Sequence, residues 1–381
     1  MGNASWGSVR PGIIIELEQR CLKQMIVGKR KVAPTAFDEI DNGLEEDAHK
    51  LAVEREAARE RLAKQREARE LFSSISAQLS ATIHSTLDHQ LASPEQLLAQ
   101  SGLNETQFLL LDILYKPDVA LERLRLLITD LPWLSRDLLN VVNSSAFRHR
   151  RQNSAEIKVT ESKLVLNFIG LANLQTLIPY FCLRHWLPQG QAHLSWTTRK
   201  VWRYTQQSGI AAKALAELNG LNPALAFSCT LLNQLGLIQV LKASAKVYEQ
   251  VWSNWLKEAN QSQDRALYDA VLATEFPAEY VYQQVVTHGG GLNWQLPRLL
   301  NFETSPLTQT LAELDNSLSY KDLSAYAALV ARASCYAKVS LLDEMEAISF
   351  KEKRLMYDYH GLTEQELFHL QKQNYRKLQL I

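Results

Sequence analysis

The sequence predicts an all-α protein, a multi-helix bundle with a helical extension on its N-terminal side. Three observations carry that expectation. Apolar residues recur at helix-neighbour spacing through most of the 381 residues. No segment sustains the polar–apolar alternation of a half-buried strand, and apart from isolated turns there is no hairpin signal. The breaks are those of helix ends: Ser, Asn or Thr before an apolar run, Pro in a first turn, Gly after the last turn.

Composition bounds the function. An apolar share of 46% supports a sizeable core and argues against disorder. Lys+Arg and Asp+Glu are both 41, so no global basic excess points to nucleic acid. Four cysteines (Cys21, Cys182, Cys229, Cys335) are scattered with no CxxC pair, which fits small buried hydrophobes in a reducing cytoplasm. No unbroken run of 18 apolar residues is present, so no membrane span is expected. The first residues lack the apolar core of a signal peptide, although Met-Gly with Ser at the sixth position has the spacing of a myristoylation site.

Residues 1–48 read as a mixed segment. It holds a short helix over 13–27, a basic loop over 29–34 ended by Pro34, and a turn at Asp41, Asn42 and Gly43. Residues 49–116 read as a helical extension. One long helix runs from about residue 46 to 91, free of Gly and Pro and dense in Ala, Arg, Glu and Lys over 54–70. Glu60 with Lys64 and Glu56 with Arg59 are favourable intrahelical pairs. Leu71, Phe72, Ile75, Leu79 and Ile83 then form an apolar stripe, so the charged half stands clear of a core and the later half packs on one. The seam at Leu51, Ala58 and Leu62 is thin for a coiled coil, which favours a solvated helix over a partner-binding arm. Ser93, Pro94 and Gln96 have the order of a capped helix start with a capping box. A short helix follows over 104–114, and Lys116-Pro117-Asp118 breaks the chain before a main domain over 117–345.

Within that domain helices are expected over 121–128 and 130–142, closed by Asn143 and Ser144. Arg148 to Arg151 form its most basic loop, read as solvated rather than anion-binding. Gly170 ends a helix and permits a tight turn into the next. Residues 181–191 read as a loop with aromatics, 196–219 as a long amphipathic helix, and 220–223 as its stop. The next helix carries Leu231, Leu232, Asn233, Gln234, Leu235 and Ile238 and is closed by Gly236. Adjacent residues on a helix point about 100° apart, so Asn233 and Gln234 are not both expected to face the core. Residues 252–264 read as a helix and a polar loop, and 275–286 as a helix. Gly289, Gly290 and Gly291 read as a flexible loop, and 323–339 as a buried small-residue helix. Residues 346–381 form C-terminal helices, one capped by Thr363 with Glu366 three residues on.

The stretch around Asn233 resembles the "LLHDIG" helix of HD-type phosphohydrolases, with Asn233 at the His and Gln234 at the Asp. The surrounding chain, about residues 118–345, resembles the HDOD domain, an HD-related output domain of bacterial signalling proteins. The resemblance rests on the run ending in Asn143 and Ser144, on Ile157 and the turn at Gly170, on Trp202, on Gly236, and on the "W-x-L-P" of Trp294 and Pro297. These signature residues read as structural. In the catalytic relatives a metal-bound His-Asp dyad activates water. Here both dyad positions hold amides, Tyr204 replaces the His of "W-x-H-S", and no His follows within residues 298–310. An amide oxygen is a weak ligand for Zn, Fe or Mn. The nine histidines are scattered, and none matches a ligand position. No GxGxxG, Walker A, GxSxG or HExxH motif offers other chemistry.

The resemblance therefore implies a bacterial, cytoplasmic, non-catalytic signal-transduction or adaptor protein that needs no metal or cofactor. It would bind a signalling protein partner or a nucleotide second messenger, with Tyr204, Asn233 and Gln234 as the degenerate-site pocket. The same amides also fit a purely structural role in the core. Two alternatives are a phosphohydrolase with a metal site shifted to Asp269, Glu275 or His288, and a helical nucleic-acid binder using Arg148 to Arg151 and the charged helix. The alternating signs on that helix argue against the second.

Overall fold

Capping residues and helix breakers cut the chain into the helices of the computed structural model, which describes residues 10–28, 52–148, 159, 162–315 and 319–378. No strand occurs among them. α1 (Gly12–Ile26) is followed by the 40-residue α2 (Ala52–Leu91), α3 (Pro94–Ser101) and α4 (Glu105–Ile113). A first layer holds α5 (Leu121–Thr129), α6 (Pro132–Asn143), α7 (Ser145–Arg148), α8 (Ser162–Ile169) and α9 (Leu171–Trp186). The centre is α10 (Ser195–Leu218), α11 (Pro223–Leu232), α12 (Leu235–Gln261), α13 (Arg265–Ala273), α14 (Ala278–Leu299) and α15 (Pro306–Asp315). α16 (Ala325–Glu344), α17 (Phe350–Tyr359) and α18 (Glu364–Gln371) complete it.

The caps do what their chemistry allows. Asn104 and Gln107, Ser349 and Glu352, and Thr363 and Glu366 each form a reciprocal capping box. Ser93 caps α3 by accepting from the Gln96 N–H, but the expected box is half made: the Gln96 side chain does not return a bond to the Ser93 N–H, and the Ser93 hydroxyl donates to Glu95. In α2 the charged stretch 56–70 holds no buried residue and Leu79, Ile83, Leu87 and Leu91 are buried, as expected, but Leu71, Phe72 and Ile75 of the expected stripe are only half-buried. Residues 46–51 of the expected helix, the basic loop of 29–34, and Ile157 lie outside the described residues.

α10, α11, α12, α14 and α16 interlock as the core, with Leu231, Leu235, Ile238, Leu292 and Leu296 buried at their contacts. Residues Pro223–Gln261 include an 18-residue window of mean hydropathy 1.6, long and apolar enough to cross a membrane. Since 89% of that window is buried inside the protein, its apolarity is core packing.

Four expectations are corrected. The helix predicted to run through Asn233 and Gln234 breaks there: α11 ends at Leu232, Asn233 caps it, and α12 starts at Leu235. Gly236 therefore lies in the first turn of α12 and closes nothing; a Cβ there would stand 2.0 Å from the Gly289 carbonyl oxygen. Gly289 to Gly291 are not a loop but the middle of α14, where the missing side chains let α12 and Asp315 approach. The aromatic residues of 181–186 belong to α9, with Phe181 and Trp186 buried, and α12 continues through most of the polar run to Gln261.

Candidate functional site

The break at Asn233 and Gln234 positions the site. Freed from one helix's 100° rule, both side chains line a single cavity of about 460 Å³, together with Tyr204 from α10. The three residues singled out from sequence are thus brought together. α12 and α14 form one wall through Leu237, Val285 and Asn293, and α15 and α16 supply Leu314, Asp315 and Lys338. The facing wall is α1, which contributes Ile15, Glu18, Gln19, Cys21, Leu22 and Met25, with Arg10 just before it.

Asn293 fastens the break. Its Oδ1 accepts from the Gly236 N–H at 2.8 Å, and its Nδ2 donates to the Asn233 carbonyl at 3.0 Å. One buried side chain thereby satisfies a donor and an acceptor that the interrupted helix leaves over. Gln234 is 8% exposed, and its side-chain amide makes no hydrogen bond within the described residues. Burial pushes the Tyr204 hydroxyl up to about 12, so it is a neutral phenol in the cavity wall.

Charge at the site is internally matched. Glu18 pairs with Lys338 and, at 3.5 Å, with Arg10. Burial alone would raise the Glu18 carboxyl, but Lys338 and then Arg10 outweigh it and hold it below the ordinary carboxylate range. Burial likewise opposes the Lys338 charge, and Glu18 and Tyr204 outweigh that, so the ammonium stays protonated. Arg10 also donates to the Leu314 carbonyl, and Asp315 accepts from Trp294 Nε1 at 2.9 Å. A smaller adjoining cavity of about 100 Å³ shares Arg10, Glu18, Asn233 and Lys338 and adds His360, whose imidazole burial pushes down to about 4.

No group of three or more His, Cys, Asp or Glu side chains that could hold a metal ion occurs among the described residues. Asp269 is exposed and lies near Arg265, Glu275 is exposed, and His288 is half-buried on α14; none of them lines the cavity. Beyond Arg148 the basic loop lies outside the described residues. The signature positions have structural partners. Asn143 bridges both backbone groups of Val159 at 2.9 Å, and Ser144 bonds Val141 and Phe147. Gly170 takes φ +76° between α8 and α9. Trp202 packs edge-on against Tyr180, and the Pro297 carbonyl accepts from Leu300 and Phe302.

Sequence reasoning missed Glu18, Asn293, Asp315 and Lys338. Glu18 and Lys338 are 320 positions apart, so no local spacing links them. The one readable sign was Lys338 itself, a cation set among Ala337, Val339 and other core residues of α16, which a low-dielectric interior tolerates only with a partner.

Residues 102–276 match the family model described as "HDOD domain". No curated protein and no solved structure matches the chain.

Proposed function

With residues 102–276 an HDOD domain, a domain found in bacterial signalling-related proteins, we propose that the chain is a non-catalytic signalling adaptor that acts by binding. The observation that carries this is the cavity: Asn233, Gln234 and Tyr204, which stand where the resemblance puts the dyad and the "W-x-H-S" His, all line it, and all three are neutral. A water-activating metal needs several His or carboxylate ligands with a coordination position left open. Glu18, the carboxylate deepest in the site, is instead engaged by two cations, and Asp315 by an indole. A cavity lined by neutral side chains and internally paired charges fits a binding role. Four buried, unpaired cysteines support a reducing cytoplasm as its place of action.

The test is metal content and turnover. The purified protein, before and after incubation with excess Mn, Fe and Zn, is expected to hold less than roughly a tenth of an equivalent of metal. It is also expected to hydrolyse no bis-(p-nitrophenyl) phosphate. A stoichiometric metal accompanied by phosphodiester hydrolysis overturns the reading.

A further inference from the structure

The chemistry left unsatisfied around the cavity specifies a class of ligand. Its charged lining residues are Arg10 and Lys338 against Glu18 and Asp315, so it carries no net formal charge. Both cations are already spent on Glu18, and Arg10 also on a carbonyl. No unmatched cation remains in the lining to neutralise a phosphate, whose burial without one is costly.

What remains open is amide. Gln234 is more than nine-tenths buried, lines the cavity and has no partner. Gln19, on α1 and lining the same cavity, makes no side-chain hydrogen bond within the described residues. Asn233 receives only a long 3.5 Å contact from Asn293 on its side-chain oxygen. A carboxamide offers a donor beside an acceptor, and Gln and Asn use that pair to grip the complementary edge of a purine in a planar, two-point contact. Leu22, Met25, Leu237 and Val285 supply apolar wall for the ring faces. About 460 Å³ falls within the roughly 300–1,000 Å³ of small-molecule sites.

From these observations we propose that the cavity binds an uncharged purine nucleoside or base, read by the amides of Gln234 and Gln19, and that it discriminates against the phosphorylated form. The inference rests on the adaptor reading and narrows its ligand. It also makes α1, which precedes the matched segment, part of the recognition surface.

The full-length protein is titrated calorimetrically, and its melting temperature followed, with adenosine, guanosine and their 5′-monophosphates. One nucleoside is expected to bind and to raise the melting temperature, with its monophosphate about tenfold weaker or worse. Gln234→Leu, which removes the amide but keeps the volume, is expected to weaken the nucleoside at least about tenfold. Gln19→Leu, on a separate helix, is expected to do the same and serves if Gln234→Leu fails to fold. Absence of binding by both nucleosides overturns the proposal. So does a monophosphate that binds as tightly as its nucleoside, or affinity that neither variant changes. Metal retention and hydrolysis bear on the adaptor reading alone, so a protein without metal, turnover or nucleoside affinity loses this inference and keeps that one.

Discussion

Lys338 and Glu18 show how much one residue can decide. Each side chain is about one-fifth exposed, and each is held charged mainly by the other. Lys338→Met alone leaves a largely buried carboxylate with only Arg10 at 3.5 Å, and is expected to lower stability by about 3 kcal/mol in chemical denaturation. The double variant Glu18→Leu with Lys338→Met removes both charges and is expected to recover most of that loss. A double variant no more stable than the single one would mean that the pair itself is not what the site depends on. His360 gives a second residue-level expectation. It is buried against Met356, faces Glu18, Lys338 and Arg10, and has its imidazole lowered from 6.5 to about 4. Between those values the unfolded chain binds a proton that the folded chain does not, so stability falls as pH is lowered from about 6.5 to about 4, by about 3 kcal/mol at the full shift. Glu18 adds a further loss below its unfolded value, as pH falls through its depressed folded one. Melting temperatures of His360→Gln across that range are expected to decline less than those of the parent protein.

Among the elements, the contact of α12 with α14 carries the site. Gly236→Ala places a methyl 2.0 Å from the Gly289 carbonyl oxygen and 3.0 Å from Leu292 Cβ. The two helices must separate, and the expected cost is about 3 kcal/mol in denaturant unfolding. Gly12→Ala, with nothing within 4 Å, is the matched control and should change little. This contact also marks where sequence reading stops. Helix starts with Asn104, Ser349 or Thr363 as cap and a glutamine or glutamate three residues on are written locally, and so is the turn at Gly170, because cap and partner lie within one turn of chain. The triple glycine reads as a loop because intrinsic propensity penalises Gly in a helix by about 1 kcal/mol each. Tertiary packing overrides that penalty: α14 needs small residues where α12 and Asp315 come close. The break at Asn233 and Gln234 was hidden for a related reason. Nothing local stops a helix there, and Asn293, which ties off the loose ends, lies 60 residues away. That Tyr204, Asn233 and Gln234 share one cavity could be expected from sequence because a family resemblance carries long-range information that periodicity does not.

On the scale of the whole molecule, α1 and α2 do opposite things with the chain that precedes the matched domain. α1 inserts Ile14, Leu17, Cys21, Met25 and Ile26 into the core and roofs the cavity. Deleting residues 1–28 uncovers that surface and strips Lys338 of its carboxylate. The expected loss is on the order of 5 kcal/mol once the ordering entropy of the helix is set against its burial. A drop in melting temperature should come with a rise in fluorescence of a hydrophobic dye; an unchanged melting temperature would show α1 to be dispensable. α2 instead leaves most side chains of its first half exposed. A 40-residue helix is about 60 Å long, and residues 56–70, whose side chains are mostly exposed, make up about 20 Å of it. Such a long helix adds friction out of proportion to its mass. The protein will therefore diffuse more slowly than a sphere of its weight and elute early from a sizing column, giving a single copy the hydrodynamic profile of a larger species. Sedimentation equilibrium, which weighs particles without regard to their drag, is the measurement that counts its copies.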